Sequence, residues 1–233
     1  LSTYQRMNTP SATQRADDLV RLMENLYEKG ELDHHPDIVH YTILCSAWSR
    51  SRQNRVTYRI VEILSNLKEK HRAGVPNVNP NTRTYNACLD ALCRAGDTDK
   101  AEQLLYHMLA LARDGDKDAQ PDCFSFNCVI SGFSRSTKRD AGRRAESVLD
   151  RFMEYSEEFP HVRPETRSFT HIIAHYARDK KMPDAPYRAE YILNQLISLY
   201  RSGQKNFSPN VYAFTTVMES YTLHKHPEAG EYA

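Results

Sequence analysis

The sequence lacks the features that mark several common protein classes. It contains no run of about 20 apolar residues, which a membrane-spanning helix would need. It also lacks a Gly-rich phosphate loop, a pair of nucleophile and base, and the His-x-Glu with Cys-x-x-Cys signature of zinc deaminases. The net charge is only +1, so there is no overall basic field and the distribution of charge becomes decisive. These absences predict a protein that is not an enzyme and does not enter a membrane.

Cysteines are few and odd in number, and no group of residues has the spacing of a metal site. The five cysteines fall within or at the start of predicted helices: Cys45, Cys88, Cys93, Cys123 and Cys128. Buried positions for small residues explain at least four of them. Free thiols in a reducing compartment are therefore expected. His171 and His175 lack a third ligand, and Asp114-x-Asp116-x-Asp118 lacks the Gly and Glu of a calcium loop. We expect no metal, no cofactor and no small-molecule substrate.

One short phrase occurs five times along the chain. It consists of Pro, a polar residue, three variable residues, an aromatic residue, and Asn or Thr. The copies begin at Pro36, Pro80, Pro121, Pro164 and Pro209, and successive prolines are 44, 41, 43 and 45 residues apart. A period in this range predicts a solenoid, in which each repeat is one supersecondary unit that stacks on its neighbours.

A second phrase repeats with the same period and indicates helices. A basic residue, Ala and an acidic residue are followed by apolar residues three, four and seven places after the Ala, as in Ala101, Leu104, Leu105 and Met108. This spacing forms one face of an α-helix. The Pro phrase also opens a helix, because Pro cannot continue a preceding helix and apolar residues follow it. Each repeat is therefore predicted to be a helical hairpin, and the fold class is all-α.

The repeats predict a single array over residues 1–233. It consists of a partial repeat at 1–35, complete repeats at 36–79, 80–120, 121–163 and 164–208, and a partial repeat at 209–233. Polar capping repeats, which solenoids need at their ends, are not visible. We therefore expect this sequence to be a segment of a longer protein, with any targeting peptide or catalytic domain outside it.

The repeats resemble pentatricopeptide repeats. The resemblance rests on the Pro-Asp/Asn start, the aromatic residue before Asn or Thr, the polar turn between helices, and the Ala-Glu-x-x-Leu-x-x-Met second helix. All four are present in PNTRTYNACLDALCRAGDTDKAEQLLYHM, which starts at Pro80. The resemblance implies a right-handed α-solenoid of helix-turn-helix repeats. These repeats are longer than the family's usual unit, and the excess lies at the end of the second helix and in the loop after it.

The resemblance assigns base recognition to two polar columns. The base-reading column is the sixth residue after each Pro: Thr42, Asn86, Asn127, Thr170 and Thr215. The partner column is the residue directly after each Pro: Asp37, Asn81, Asp122, Glu165 and Asn210. These side chains carry donors and acceptors of a size that can read a base edge, and each base-reading residue pairs with the partner residue of the next repeat. Helix N-capping is the alternative for the partner column, but it does not explain the base-reading column inside the helix.

Two further columns suit a nucleic acid. The stacking column is the third residue after each Pro, and its Arg and aromatic side chains can stack on bases: Val39, Arg83, Phe124, Arg167 and Tyr212. The Arg column is the fourteenth residue, which the family directs at the phosphate backbone: Arg6, Arg50, Arg94, Arg135 and Arg178, with Leu223 in the last repeat. For the stacking column, the alternative is a solvated Arg beside a half-buried aromatic residue. For the Arg column, the alternative is an Arg that stabilises the C-terminus of its helix.

The resemblance implies sequence-selective binding of single-stranded RNA in organellar RNA processing, stability or translation. The family's code, applied to successive pairs, favours adenine, uracil, a pyrimidine and adenine. The expected location is a mitochondrion or chloroplast, with cytoplasm or nucleus as the alternative. A second hypothesis is a protein–protein scaffold or a structural subunit of an organellar ribosome or respiratory assembly, because fold does not determine function. Two observations discriminate RNA binding from the protein scaffold. RNA binding requires that the Arg and base-reading columns share one face, and it should weaken steeply as salt rises.

Overall fold

The computed structural model of this protein describes residues 10–51 and 53–224, and within these ranges every regular element is helical. The helices are α1 (Pro10–Glu28), α2 (Ile38–Ser49), α3 (Val56–Arg72), α4 (Thr82–Arg94), α5 (Thr98–Arg113), α6 (Cys123–Arg135), α7 (Ala141–Glu158), α8 (Thr166–Arg178), α9 (Ala185–Arg201) and α10 (Val211–Leu223), with a 3₁₀ turn at Lys205–Phe207. Each interval between successive repeat-opening prolines contains two α-helices. The predicted all-α fold of helical hairpins is confirmed.

Each first helix from α2 onwards begins two residues after a repeat-opening Pro, and at Asp37, Asn81, Asp122 and Asn210 the intervening side chain caps it. The Asp37 carboxylate accepts hydrogen bonds from the backbone N–H groups of Val39 and His40. The Asn81 and Asn210 side chains accept from the N–H of the residue three places on, in both cases at 3.0 Å. These bonds satisfy backbone donors that have no partner inside the helix. Capping by the partner column is therefore an observed role of these residues.

The turn between α4 and α5 depends on one glycine. Gly96 has a φ of +82°, in the left-handed region that costs a residue with a Cβ atom about 1 kcal/mol or more. Its position lets the N–H of Asp97 reach back to the carbonyl of Leu92 at 3.0 Å. The Asp97 side chain then caps α5 by accepting from the N–H of Lys100. This compact turn brings the two helices of the repeat against each other.

The described residues fall into two compact units that divide between Cys128 and Val129, within α6. In the first unit, α2 packs against α1, α3 and α4, and α4 packs against α3 and α5. Its core includes the fully buried side chains of Leu44, Ile60 and Leu89. The apolar residues predicted after Ala101, which are Leu104, Leu105 and Met108, lie in this core, whereas Leu19 of the copy in α1 is exposed. All copies of the second phrase are helical, as predicted.

In the second unit, α8 packs against α7, α9 and α10. Hydrogen bonds link the acidic residue of the second phrase to a tyrosine on the next first helix. Tyr176 donates to Glu146, and Tyr221 donates to the Oε2 atom of Glu190 at 2.5 Å. The acidic residue therefore bonds to the following repeat.

The second helices are 16 to 18 residues long from α3 onwards. They extend to Arg72, Arg113, Glu158 and Arg201, so part of the extra length of each repeat is helical, as predicted. Among the described residues, no helix combines the length and the apolar character needed to span a membrane.

The cysteines are free thiols, as predicted, but only three are buried rather than at least four. Cys45 and Cys88 are fully buried where α2 meets α4, with their sulfur atoms 3.4 Å apart, and Cys93 is buried nearby in α4. Cys123 and Cys128 are half-exposed, because they lie on the faces of α6 that flank its buried aromatic residues.

Gly142 provides a test of packing in the second unit. A Cβ atom at this position would lie 2.7 Å from the Cε1 and Cζ atoms of Tyr176. We expect Gly142→Ala to lower the free energy of unfolding by about 1–2 kcal/mol, because overpacking outweighs the better helix propensity of Ala. Urea denaturation measures this change. The control Ser147→Ala, at an exposed position of α7, should leave stability equal or slightly higher, and an equally stable Gly142→Ala variant would contradict the packing.

Candidate nucleic-acid interface

In the first unit, members of all four columns line one groove of about 560 Å³. The groove runs along α2 and α4 to the start of α6, because these first helices lie side by side. Its lining includes Asn86 and Asp122, the stacking residues Arg83 and Phe124, and the Arg-column residues Arg50 and Arg94. The Arg and base-reading columns therefore share one face in this unit, which is the geometry that an RNA-binding array requires.

Asn86 and Asp122 form a bonded pair at the centre of this groove. The Nδ2 atom of Asn86 donates to both carboxylate oxygens of Asp122, each at 3.1 Å. Ser125, which is fully buried, lies behind them and donates from Oγ to the Oδ1 atom of Asn86 at 2.6 Å. The pairing of a base-reading residue with the partner residue of the next repeat, implied by the resemblance, is thus a direct contact here.

The preceding pair, Thr42 and Asn81, is arranged around another hydroxyl group. Thr84 lies between them, with its Oγ1 atom 2.7 Å from Oγ1 of Thr42 and 3.1 Å from Oδ1 of Asn81. Thr42 also donates to the backbone carbonyl of Ile38 at 2.7 Å. It is about nine-tenths buried, so a base could reach only one edge of its hydroxyl group.

The stacking column is exposed throughout, whereas the residue that follows it in each first helix is more buried. Val39, Phe124 and Tyr212 expose 57%, 53% and 57% of their surface, and Arg83 and Arg167 are also exposed. Large apolar side chains in contact with water cost free energy unless a partner covers them. Their position beside the base-reading residues fits planar ligands such as bases.

The Arg column is exposed wherever the structure describes it, but its members differ in their partners. Arg94 is held by the Asp90 carboxylate, with both oxygens 2.9 Å from its Nε atom. Arg135 and Arg178 instead donate to neutral oxygens, on Ser131 and on Ser134 respectively. The charges of Arg135 and Arg178 are thus less compensated than that of Arg94. Arg6 lies outside the described residues.

In the second unit, a groove of about 340 Å³ contains Arg135 and Arg178 together with His171 and Tyr212. Burial lowers the pKa of His171, and the positive charges of Arg135, Arg167 and Arg178 lower it further. The guanidinium groups of Arg135 and Arg178 that line this groove give it a positive potential, which favours an anion.

A second cavity of about 520 Å³ shares Ser134, Arg135 and Arg178 with this groove. Lys138, Lys180 and Lys181 also line it, and Asp179 is its one carboxylate among the lining residues. These lysines lie in the turns between paired helices, and sequence reasoning missed them as candidates. The signal was available, since both turns are longer than the turn after Arg94 and carry clustered basic residues.

The remaining candidates lie in the expected helices, and the fully buried Ser168 occupies in α8 the position that Ser125 has in α6. Thr170 is nine-tenths buried and donates to the carbonyl of Arg167 at 3.0 Å, and Asn210 caps α10. Asn127 is half-buried, and Glu165 and Thr215 are exposed. Within residues 10–51 and 53–224, no three His, Cys, Asp or Glu side chains lie together in a way that could hold a metal ion.

Comparisons with known proteins agree with this geometry. The PPR repeat family pattern matches residues 77–109. A chloroplastic pentatricopeptide repeat-containing protein of Arabidopsis thaliana is 32% identical over 118 residues, which are 51% of this chain and 13% of that protein. A second Arabidopsis thaliana pentatricopeptide repeat-containing protein is 25% identical over 123 residues, 53% of this chain and 19% of that protein. The chain therefore spans less than a fifth of the length of these relatives.

A solved structure shows the same fold. The crystal structure of the pentatricopeptide repeat protein PPR10 in complex with an 18-nt psaJ RNA element matches with a TM-score of 0.55 and 18% sequence identity. The match covers 90% of this chain and 26% of that chain. At this level of identity the likeness establishes the helical-repeat fold.

The potential in the second unit can be tested through His171. Its pKa is lowered by burial and by nearby guanidinium groups, so removal of a positive charge should raise it. We expect Arg135→Gln and Arg178→Gln each to raise the pKa of His171, measured by NMR titration of the imidazole. The control Arg201→Gln, on the exposed last turn of α9, should not change it. An unchanged pKa in all three variants would refute the positive groove.

Proposed function

We propose that this chain, in which residues 77–109 match the PPR repeat family, binds single-stranded RNA sequence-selectively, with one base opposite each pair of base-reading and partner residues. The observation that supports this most is the groove of the first unit, which holds members of all four columns. Base edges would meet Asn86 and its neighbours, planar faces would meet the stacking column, and phosphates would meet the Arg column. The role is binding rather than catalysis.

The polar groups at the first two pairs suit particular bases. Asn86 offers one remaining N–H donor and one remaining lone pair on Oδ1, which complement the N3–H and O4 groups of uracil. At the pair before it, Thr42 and Asn81 offer an acceptor and a donor, which complement the exocyclic amine and N1 of adenine. These assignments agree with the adenine and uracil that the resemblance implies.

The cations of the second unit supply affinity without sequence information. Arg135, Arg178, Lys180 and Lys181 line one cavity together with the single carboxylate of Asp179. Phosphates in this space would replace condensed counterions, which makes binding dependent on salt. The chloroplastic relative supports a role in an organelle, in the processing, stability or translation of its RNA.

Salt dependence tests the phosphate contacts. For single strands, the slope of log affinity against log salt falls by about 0.7 for each lost phosphate contact. We expect Arg135→Ala and Arg178→Ala each to lower the slope by this amount for every RNA sequence. Arg94→Ala should lower it less, because Asp90 already neutralises that guanidinium.

The measurement is the dissociation constant of a fluorescent RNA over a series of salt concentrations. Arg201→Ala, on an exposed turn outside both grooves, is the matched control. If the Arg-column variants behave like this control, phosphates do not bind there. Binding that does not respond to salt would favour the protein scaffold instead.

The role of Asn86 and Asp122 in recognition is tested by base selectivity. We expect Asn86→Thr to move preference at one base from uracil towards guanine. The Asp122 carboxylate would lose the Nδ2 donor and become free to accept from N1–H and N2–H of guanine. Overall affinity for the best RNA should stay within about a factor of three, since the phosphate contacts remain.

RNAs that differ at this single base, compared by fluorescence anisotropy, measure the change. Asn25→Thr, at an exposed position of α1, is the control and should leave selectivity unchanged. A variant that binds all RNAs equally less well, or that unfolds, would show that Asn86 has a structural role only.

A further inference from the structure

We propose that a buried hydroxyl group four residues after the repeat-opening Pro positions the base-reading pair beside it and so sets its base selectivity. We call Ser125 and Thr84 the bridging hydroxyls, because each contacts both members of one pair. They are positioning residues, since both are fully buried and cannot touch a base themselves. The inference rests on the RNA-binding function proposed above.

Ser125 determines which way the amide of Asn86 points. Its hydroxyl donates to Oδ1 of Asn86 at 2.6 Å and accepts from the N–H of Asp122 at 3.1 Å. The Nδ2 atom must then face the Asp122 carboxylate, because a reversed amide would set oxygen against oxygen and N–H against O–H. With the amide held from both sides, its free donor and free acceptor occupy defined places in the groove. Bases that present the reverse order of donor and acceptor are disfavoured.

Thr84 sets the polarity of the other pair in the same unit. Thr42 donates its only hydroxyl proton to the carbonyl of Ile38, so the bond between Thr42 and Thr84 requires the Thr84 proton. That proton goes to Thr42 at 2.7 Å in preference to Oδ1 of Asn81, which is farther away at 3.1 Å. The oxygen of Thr42 therefore remains available to a base as an acceptor and not as a donor. Asn81 uses Oδ1 to accept from the N–H of Thr84, which leaves its Nδ2 group as the donor. An acceptor beside a donor is the pattern that adenine complements.

The last pair of the described chain lacks this device. Thr170 and Asn210 are followed by Ala213, which occupies the position of Thr84 and Ser125 and is equally buried. Asn210 still caps its helix through the N–H of Ala213 at 3.0 Å, the same distance as in the Asn81 cap. The hydroxyl is therefore not needed to cap the helix. We expect the pair of Thr170 and Asn210 to discriminate between bases less well than the pairs with a bridging hydroxyl.

The experiment removes one bridging hydroxyl and adds another. The full chain and its Ser125→Ala, Ser125→Thr and Ala213→Ser variants are titrated with RNA oligonucleotides that carry an adenine-uracil-cytosine-adenine core. Each oligonucleotide series varies either the second or the fourth base of the core over all four bases, at one salt concentration. Fluorescence anisotropy gives the affinity ratios, and thermal melting confirms that each variant is folded.

Loss of one hydrogen bond should lower the preference of Ser125→Ala for uracil at the second base by about fivefold. The fourth base should be unaffected in that variant. Ser125→Thr, which keeps the hydroxyl and copies Thr84, should retain the preference. Ala213→Ser should raise the preference for adenine at the fourth base by about threefold, as expected for one added hydrogen bond.

The results separate the inference from the function on which it rests. If the wild-type chain binds none of these RNAs, the proposed function fails. If the wild type is selective but Ser125→Ala keeps that selectivity, or loses affinity equally for all four bases, the bridging hydroxyl is structural and the inference is wrong. If Ser125→Ala does not fold, Ala213→Ser decides the matter, and an unchanged preference at the fourth base overturns the proposal.

Discussion

The capped start of each first helix is the constraint on which the rest of the site depends. A side-chain oxygen directly after the repeat-opening Pro binds the backbone N–H group three residues on, as Asn81 does with Thr84. This bond fixes where the helix begins, and a helix with a fixed start has fixed side-chain directions. The third residue after the Pro then points outwards, the fourth is turned towards the core, and the sixth, as at Asn86, faces the partner residue of the following repeat. A shift of the helix start by one residue would rotate these columns by about 100° and remove the groove.

The cap and the recognition site use the same atoms, so the two interpretations of the partner column are not exclusive. Asp122 accepts from the N–H of Ser125 with one carboxylate oxygen and from Asn86 with both. A carboxylate has about four lone-pair sites, which is enough for both tasks. The helix that begins a repeat thereby holds the side chain that would read the base of the preceding repeat. Stability and selectivity are coupled at this residue, and a substitution that removes the carboxylate should affect both.

Sequence reasoning predicted the helices well because the Pro phrase and the second phrase, with its Ala and following apolar residues, are both local signals. The residues between Pro80 and Pro121 contain a cap, a glycine turn and an apolar face at helical spacing, and all three appear in the structure. The hydroxyl contacts of Ser125 were not predictable, since they join residues 39 positions apart in sequence. The ion pair between Arg94 and Asp90 has a helical spacing of four and could have been anticipated. The burial of Cys123 and Cys128 was misjudged because a repeat period gives the helix but not how closely each face is covered.

A net charge of +1 conceals an uneven distribution of charge. In the first unit, Arg94 is neutralised by Asp90 and the pairs around Asn86 and Thr42 carry bridging hydroxyls. In the second unit, Arg135 and Arg178 bond to neutral oxygens, and Ala213 occupies the position of the bridging hydroxyl at the pair of Thr170 and Asn210. Oriented hydrogen bonds discriminate between bases, whereas uncompensated cations bind any phosphate. The first unit therefore has groups suited to discriminate between bases, and the second has groups suited to bind phosphates of any sequence.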